Sequence, residues 1–426
     1  MNRTIVAVLA VALGAVVPAL AQPPEGGFFH NGYIKGKLQF YQNQGNYCPS
    51  SGRDCTAAQY LESEYNTNSP VVDAKVYVKL DGTSTVIGQG STDENGEFVI
   101  SWSTQTFPAD VVVYWKAEHK NGRFKFLHPG GSAYSLTSSA VALVDNTTSG
   151  SPQNRGTMTW GSSGSPNEVA NAYDGAVRMW NDALSWSNKM EANFTGLTIY
   201  AFSDTQPDSC STSCAKGSAN TVQLDANAAF KPLGRVMHEM GHIASYKSDT
   251  HTGANDYNYP STGSGGSWST TTAEWKAASF EEGLATFFGV RAIYHQANDE
   301  PHYCNSTSVC STGTYDLEES TGTTSGSCAA DEGRWALSTM RYLWDAYDSH
   351  DDSNYSDAVS SNYFDFFDTL GDYPSGTGDG DKDEPWNSSY SSKDNRDGRS
   401  AEDFRGHFQS RTGSSTTSQC SYNCSP

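Results

Sequence analysis

His238 and His242, with Glu239 between them, are the residues of this chain whose types and spacing are best suited to chemistry. Residues four apart lie on one face of an α-helix, so both imidazoles can reach a single metal ion. The intervening carboxylate is then presented to a water that the ion would activate. The motif is set inside the run Phe230 to Ser245. The chemistry this spacing predicts is metal-assisted hydrolysis, with Zn²⁺ as the ion and Glu239 as the general base.

Catalytic zinc usually takes three protein ligands, so a third must come from another element. Trp275 to Phe288 reads as a second helix, apolar and small on most sides, with the adjacent carboxylates Glu281 and Glu282 near its middle. Glu282 shares a helical face with Ala278, Ala285 and Gly289, small residues that let this helix approach the first, where Gly241 is also small. Glu281 shares its face with Ala277, Leu284 and Phe288, a face suited to core packing. The expected ligand set is therefore His238, His242 and Glu282, with Glu281 and Asp256 as alternatives for the third place.

His238-Glu239-x-x-His242 followed by Glu282-Gly283-Leu284-Ala285 resembles the gluzincin metallopeptidases, the thermolysin-like and aminopeptidase-like group. The resemblance implies a zincin-like fold and hydrolysis of a protein or peptide substrate, with His238, His242 and Glu282 on zinc and Glu239 as base. Thr286 stands four residues after the glutamate, where the thermolysin-like pattern has Asp. A metzincin would need a Gly and a third His where Ser245 and Ser248 stand. The loop Gly253 to Tyr259, containing Asp256, faintly resembles that of the aspzincins. Two other classes compete with a peptidase: a secreted binding or surface-interaction protein on a degenerate zincin scaffold, and a non-peptidase zinc hydrolase.

These residues need a scaffold. Val169, Tyr173, Val177, Trp180 and Leu184 recur at helical spacing in a helix opened by Ser165-Pro166. Leu197 to Phe202 and Thr221 to Leu224 read as strands, with the histidine helix starting at about Asn227 and an amphipathic helix from Gly333 to Asp348 further on. Near the end of that helix Tyr347 or His350 could donate a hydrogen bond to a transition-state oxyanion. Upstream, Tyr33 to Phe40, Ala74 to Leu80, Glu97 to Trp102 and Val111 to Ala117 alternate as strands of a half-buried antiparallel sheet pair, with turns at Asp81-Gly82 and Asp93 to Gly96. The segments Asp73 to Val78 and Gly90 to Phe98 resemble the transthyretin-like, carboxypeptidase-regulatory-like β-sandwich.

The expected fold class is thus an α+β zincin-like catalytic domain preceded by an all-β transthyretin-like sandwich. Its divisions are a signal peptide over 1–21, the sandwich over 30–145, a polar linker over 146–164, the metallopeptidase domain over 165–411 and a Ser/Thr-rich, Cys-containing tail over 412–426.

Charge and cysteines set the surroundings. Met1-Asn2-Arg3, the apolar run Ile5 to Val17 and the small-x-small site Ala19-Leu20-Ala21 predict a signal peptide cut after Ala21. No later stretch is apolar enough for a membrane span, so a secreted protein is expected, extracellular or, in a bacterium, periplasmic. Of nine cysteines, Cys48/Cys55, Cys210/Cys214, Cys304/Cys310 and Cys420/Cys424 form close pairs suited to short disulfides, with Cys328 left over. A net charge of −21 argues against nucleic-acid partners, whose phosphates require cations. The alternating Asp379, Asp381 and Asp383 could hold Ca²⁺ in a loop, although Tyr390 stands where an EF-hand would place its closing Glu.

Overall fold

Period-two alternation builds the first half of the chain. In the computed structural model β1 (His30–Tyr41), β2 (Asn68–Pro70), β3 (Ala74–Leu80), β4 (Val86–Ser91), β5 (Glu97–Thr104) and β6 (Asp110–His119) are followed by β7 (Phe124–Leu127), β8 (Ser135–Thr137), β9 (Val141–Ala142) and β10 (Gln153–Trp160). The structure describes residues 28–41, 68–161, 165–185, 187–202, 212–226, 232–248, 274–294, 301–304, 314–317, 335–348, 363–371 and 400–413. Every second residue of β5 is buried, which turns Phe98, Ile100 and Trp102 inward. They meet Ile34, Leu38 and Phe40 of β1 and Val76, Val78, Val113 and Trp115 of β3 and β6 in one core. The expected strands are present, and the Asp93–Gly96 turn closes with the Asp93 carboxylate accepting from the Asn95 and Glu97 amides.

The pairing departs from a purely antiparallel sandwich. β1 pairs antiparallel with β5 and β2 but parallel with β10, from Ile34 opposite Gln153 to Phe40 opposite Trp160. Part of the polar stretch read as a linker is therefore a strand. Its preceding residues are tied down as well, since the Thr147 hydroxyl donates to the Tyr33 carbonyl and the Asn146 amide to that of Asn31. Polar composition suggested a linker, but an edge strand needs few apolar side chains when backbone hydrogen bonds hold it.

The second half supplies α1 (Ser165–Arg178), which runs on as a π-helical segment over Met179–Leu184, then α2 (Asn188–Asn193), β11 (Leu197–Tyr200), β12 (Cys214–Lys216), β13 (Thr221–Gln223), α3 (Pro232–Ser248) and α4 (Lys276–Arg291). β14 (His302–Cys304), β15 (Thr314–Asp316), α5 (Ala336–Tyr347), α6 (Tyr363–Leu370) and α7 (Ala401–Thr412) complete it. The protein is a mixed α/β structure in which one nine-stranded sheet runs β12-β13-β11-β7-β6-β3-β4, with β8 and β9 beside β6. Its halves join where β7 and β11 pair in parallel, Phe124 opposite Leu197 through Leu127 opposite Tyr200. The strand-rich and helical halves thus share a sheet.

α4 is buried on every side from Ala277 to Arg291, as befits a helix without a polar face at the centre of a helical layer. Glycine sets its spacing to both neighbours. A Cβ on Gly241 of α3 would stand 2.5 Å from the Ala285 carbonyl oxygen, and one on Gly283 of α4 would stand 2.7 Å from that of Ala336 in α5. Phe287 and Phe288 then stack on Phe366 and Phe367 of α6. No helix among the described residues is long and apolar enough to cross a membrane.

Candidate metal centre

α3 opens at Pro232, a residue tolerated in the first turn because it lacks an N–H that would have no helical partner there. Three turns of unbroken helix follow, and they put His238 and His242 on one face. α4 crosses that face at the Gly241–Ala285 contact, bringing Glu282 to both histidines. Its Oε2 lies 3.2 Å from Nε2 of His238 and 3.3 Å from Nε2 of His242. The imidazole rings are nearly perpendicular, with centroids 4.8 Å apart, so both Nε2 atoms are turned toward the same carboxylate oxygen. One ligand atom from each of His238, His242 and Glu282 falls within 4.8 Å of the others. This buried group could hold a metal ion.

The residue behind His238 fits that use. Its Nδ1 lies 2.9 Å from the Thr286 hydroxyl, which itself donates to the Glu282 carbonyl at 2.9 Å. A hydroxyl has one hydrogen to give. With that hydrogen directed to Glu282, Thr286 accepts from His238, so Nδ1 carries the ring proton and Nε2 presents its lone pair. A metal-ligating histidine requires this tautomer. Thr286 therefore does with a neutral hydroxyl what an acceptor in this position has to do.

Burial governs the charges. It pushes the Glu239 carboxyl up to about 7, although His242 and Arg235 pull it the other way. Burial likewise lowers His238 to about 4. At His242 burial also opposes the charge, but the charge and hydrogen bond of Glu282, with the Glu239 and Glu281 carboxylates, together outweigh it and raise the imidazole to about 9. Burial alone would raise Glu282, yet the neighbouring His242 charge and the two histidine contacts hold it well below the usual carboxylate range. In the metal-free site one proton sits on His242 against Glu282, and a divalent cation competes with it for the same lone pair. Arg235, one turn before Glu239, places a guanidinium nitrogen 3.8 Å from the Glu239 carboxylate.

Glu281 is buried like Glu282 but points elsewhere, accepting a 2.6 Å hydrogen bond from Ser245 of α3. Its face packs as the small and apolar neighbours suggested, with a buried hydrogen bond that spacing alone did not reveal. Tyr347 is also buried, against Phe287, Trp344 and Phe366 with the Arg291 guanidinium 5.0 Å from its ring centroid, in an aromatic layer. Asp256, His350, the acidic run 379–384, the segment 1–21 read as a signal peptide and most of the cysteines lie outside the described residues. Cys214, in β12, is disulfide-bonded. The sequence reading missed Thr286 and Arg235 as parts of the site. Both were legible as i,i+4 partners, Thr286 of Glu282 and Arg235 of Glu239.

No family model and no curated protein matches this chain. Among solved structures it is similar to a 9R-lipoxygenase from Cyanothece PCC8801, at 14% identity over 34% of this chain and 22% of that chain, with a TM-score of 0.18. A likeness of that size carries no argument about fold or function.

Proposed function

We propose that this protein is a secreted zinc metallopeptidase of zincin-like fold, its metal held by His238, His242 and Glu282. The observation that carries the reading is the convergence of two imidazole nitrogens and one carboxylate oxygen from crossing helices, with a further buried carboxylate, Glu239, next to the first histidine. Two neutral imidazoles and a carboxylate form a donor set suited to catalytic zinc, and the hydroxyl behind His238 suits the ligand role. Bound there, zinc would supply Lewis acidity, polarising a carbonyl and acidifying a water.

The chain's own residues supply the rest. Glu239, raised to about 7, can both accept and release a proton near neutral pH, as a group that deprotonates water and then protonates a leaving amine must. Burial keeps competing water from it. A disulfide at Cys214 accords with an oxidising exterior.

Glu239→Gln keeps the shape of the side chain but cannot take the proton. Zinc content and thermal stability should stay near wild type, while cleavage of an unfolded protein substrate falls about 10²–10⁴-fold. Full activity in a zinc-loaded Glu239→Gln protein would show that Glu239 is not the general base. Retained zinc and no cleavage by the wild type of any peptide would point to a different scissile bond.

A further inference from the structure

We infer that Arg235 is a specificity-determining residue that receives a carboxylate of the substrate, so that the enzyme prefers an acidic side chain, or a free chain end, next to the scissile bond. The inference rests on the peptidase reading above and names a substrate class for the same site. Arg235 lies on α3 one turn before Glu239, on the helix face that carries His238 and Glu239. Its side chain is 41% exposed, whereas that of Glu239 is 4% exposed, so the guanidinium stands at the solvent side of the base. Among the described residues it makes no hydrogen bond, and its ion pair with Glu239 at 3.8 Å is too long to be one. A planar fork of five N–H donors is thus available at the site.

A carboxylate is the group such a fork matches best, through two parallel charge-assisted hydrogen bonds. The rest of the molecule makes that recognition selective. With 48 acidic against 27 basic residues, the chain as a whole repels anionic ligands, and an acidic substituent gains only where a local cation receives it. A substrate carboxylate on the guanidinium would be ion-paired in the same small region where the base works.

The test uses the full chain loaded with zinc and matched quenched peptides, Glu or Gln, at each position within two residues of the cleaved bond. At one position kcat/KM should favour Glu over Gln by about tenfold, the scale of a hydrogen bond to a charged group. Arg235→Gln should bring that ratio to about one, and Arg235→Lys should keep part of it. Each ratio is taken within one protein, so a general loss of turnover through Glu239 cancels. No Glu preference at any position, or a preference that survives in Arg235→Gln, would overturn the inference and leave the peptidase reading standing. Should the wild type cleave none of the peptides, the same pairs are measured by fluorescence anisotropy on zinc-loaded Glu239→Gln protein. Tighter Glu binding that disappears when Arg235→Gln is added supports the inference, equal binding overturns it, and no binding at all removes the peptidase reading and this inference together.

Discussion

Thr286 shows how much of a metal site rests on a residue that touches no metal. Its hydroxyl accepts a hydrogen bond from Nδ1 of His238 and donates one to the Glu282 carbonyl, which links two of the three candidate ligands through one oxygen. Thr286→Val has the same shape without the hydroxyl. It would leave a buried N–H facing a methyl group, and the ring would be free to adopt the wrong tautomer. Loss of such a partner weakens metal binding about 10–100-fold, and Thr286→Ser should restore most of it. Competition with a chromophoric chelator at neutral pH measures this directly. Equal zinc affinity in the Val and wild-type proteins would mean that the helix, not the hydroxyl, orients the imidazole.

Between elements, the decisive contact is the crossing of α3 and α4. The candidate ligands come from both helices, so their separation sets the size of the site, and Gly241 against the Ala285 backbone sets the separation. A methyl group at 241 would stand 2.5 Å from a carbonyl oxygen and 2.6 Å from a Cα, backbone atoms that cannot turn aside. Gly241→Ala should therefore push the helices apart, destabilise the metal-free protein by about 1–3 kcal/mol and weaken zinc binding in parallel. Urea unfolding with chelator present, together with a zinc titration, checks both parts. A stable variant with unchanged affinity would show that the crossing can slide. Small residues on the Glu282 face and at Gly241 made this approach legible in advance, because a close helix crossing has few other solutions.

The joint between the strand-rich half and the helical half is polar as well as hydrogen-bonded through β7 and β11. Asp73, in a left-handed backbone conformation at the start of β3, accepts from Lys120 at 2.6 Å and from Asn181 of the π-helical segment at 3.0 Å, while the Tyr173 hydroxyl of α1 donates to its carbonyl. His119, 1% exposed at the end of β6, lies beside this cluster with Nε2 3.8 Å from Asp73. Burial lowers it to about 4; Asp73 opposes the shift, and Lys120, Arg123 and Lys75 add to it. The folded protein thus keeps His119 neutral while the unfolded chain protonates it near 6.5, so the unfolded state binds the extra proton as pH falls from 6.5 to 4. Stability contributed by the neutral ring is complete above that window and declines through it, by about 3 kcal/mol at its acid end. The urea midpoint of wild type should fall more steeply across this range than that of His119→Gln. Parallel slopes would place the acid sensitivity elsewhere.

What the sequence determined by itself was everything carried by local periodicity and fixed spacing. Phe98-x-Ile100-x-Trp102 alternates into a strand, the apolar run around Glu282 makes a helix buried on all sides, and the offset of His238 and His242 places both on one face whatever surrounds them. These follow from backbone geometry within a few residues. Only the tertiary structure decided which carboxylate turned toward the histidines, because Glu281 and Glu282 differ by one residue and about 100° of helical rotation, and the direction of the second helix is settled by packing across Gly241 and Gly283. Likewise only the fold showed that β7 pairs with β11. The four residues of β7, Phe124–Leu127, carry too little pattern to announce a strand, and hydrogen bonds to a partner distant in sequence leave no mark on the composition of either segment.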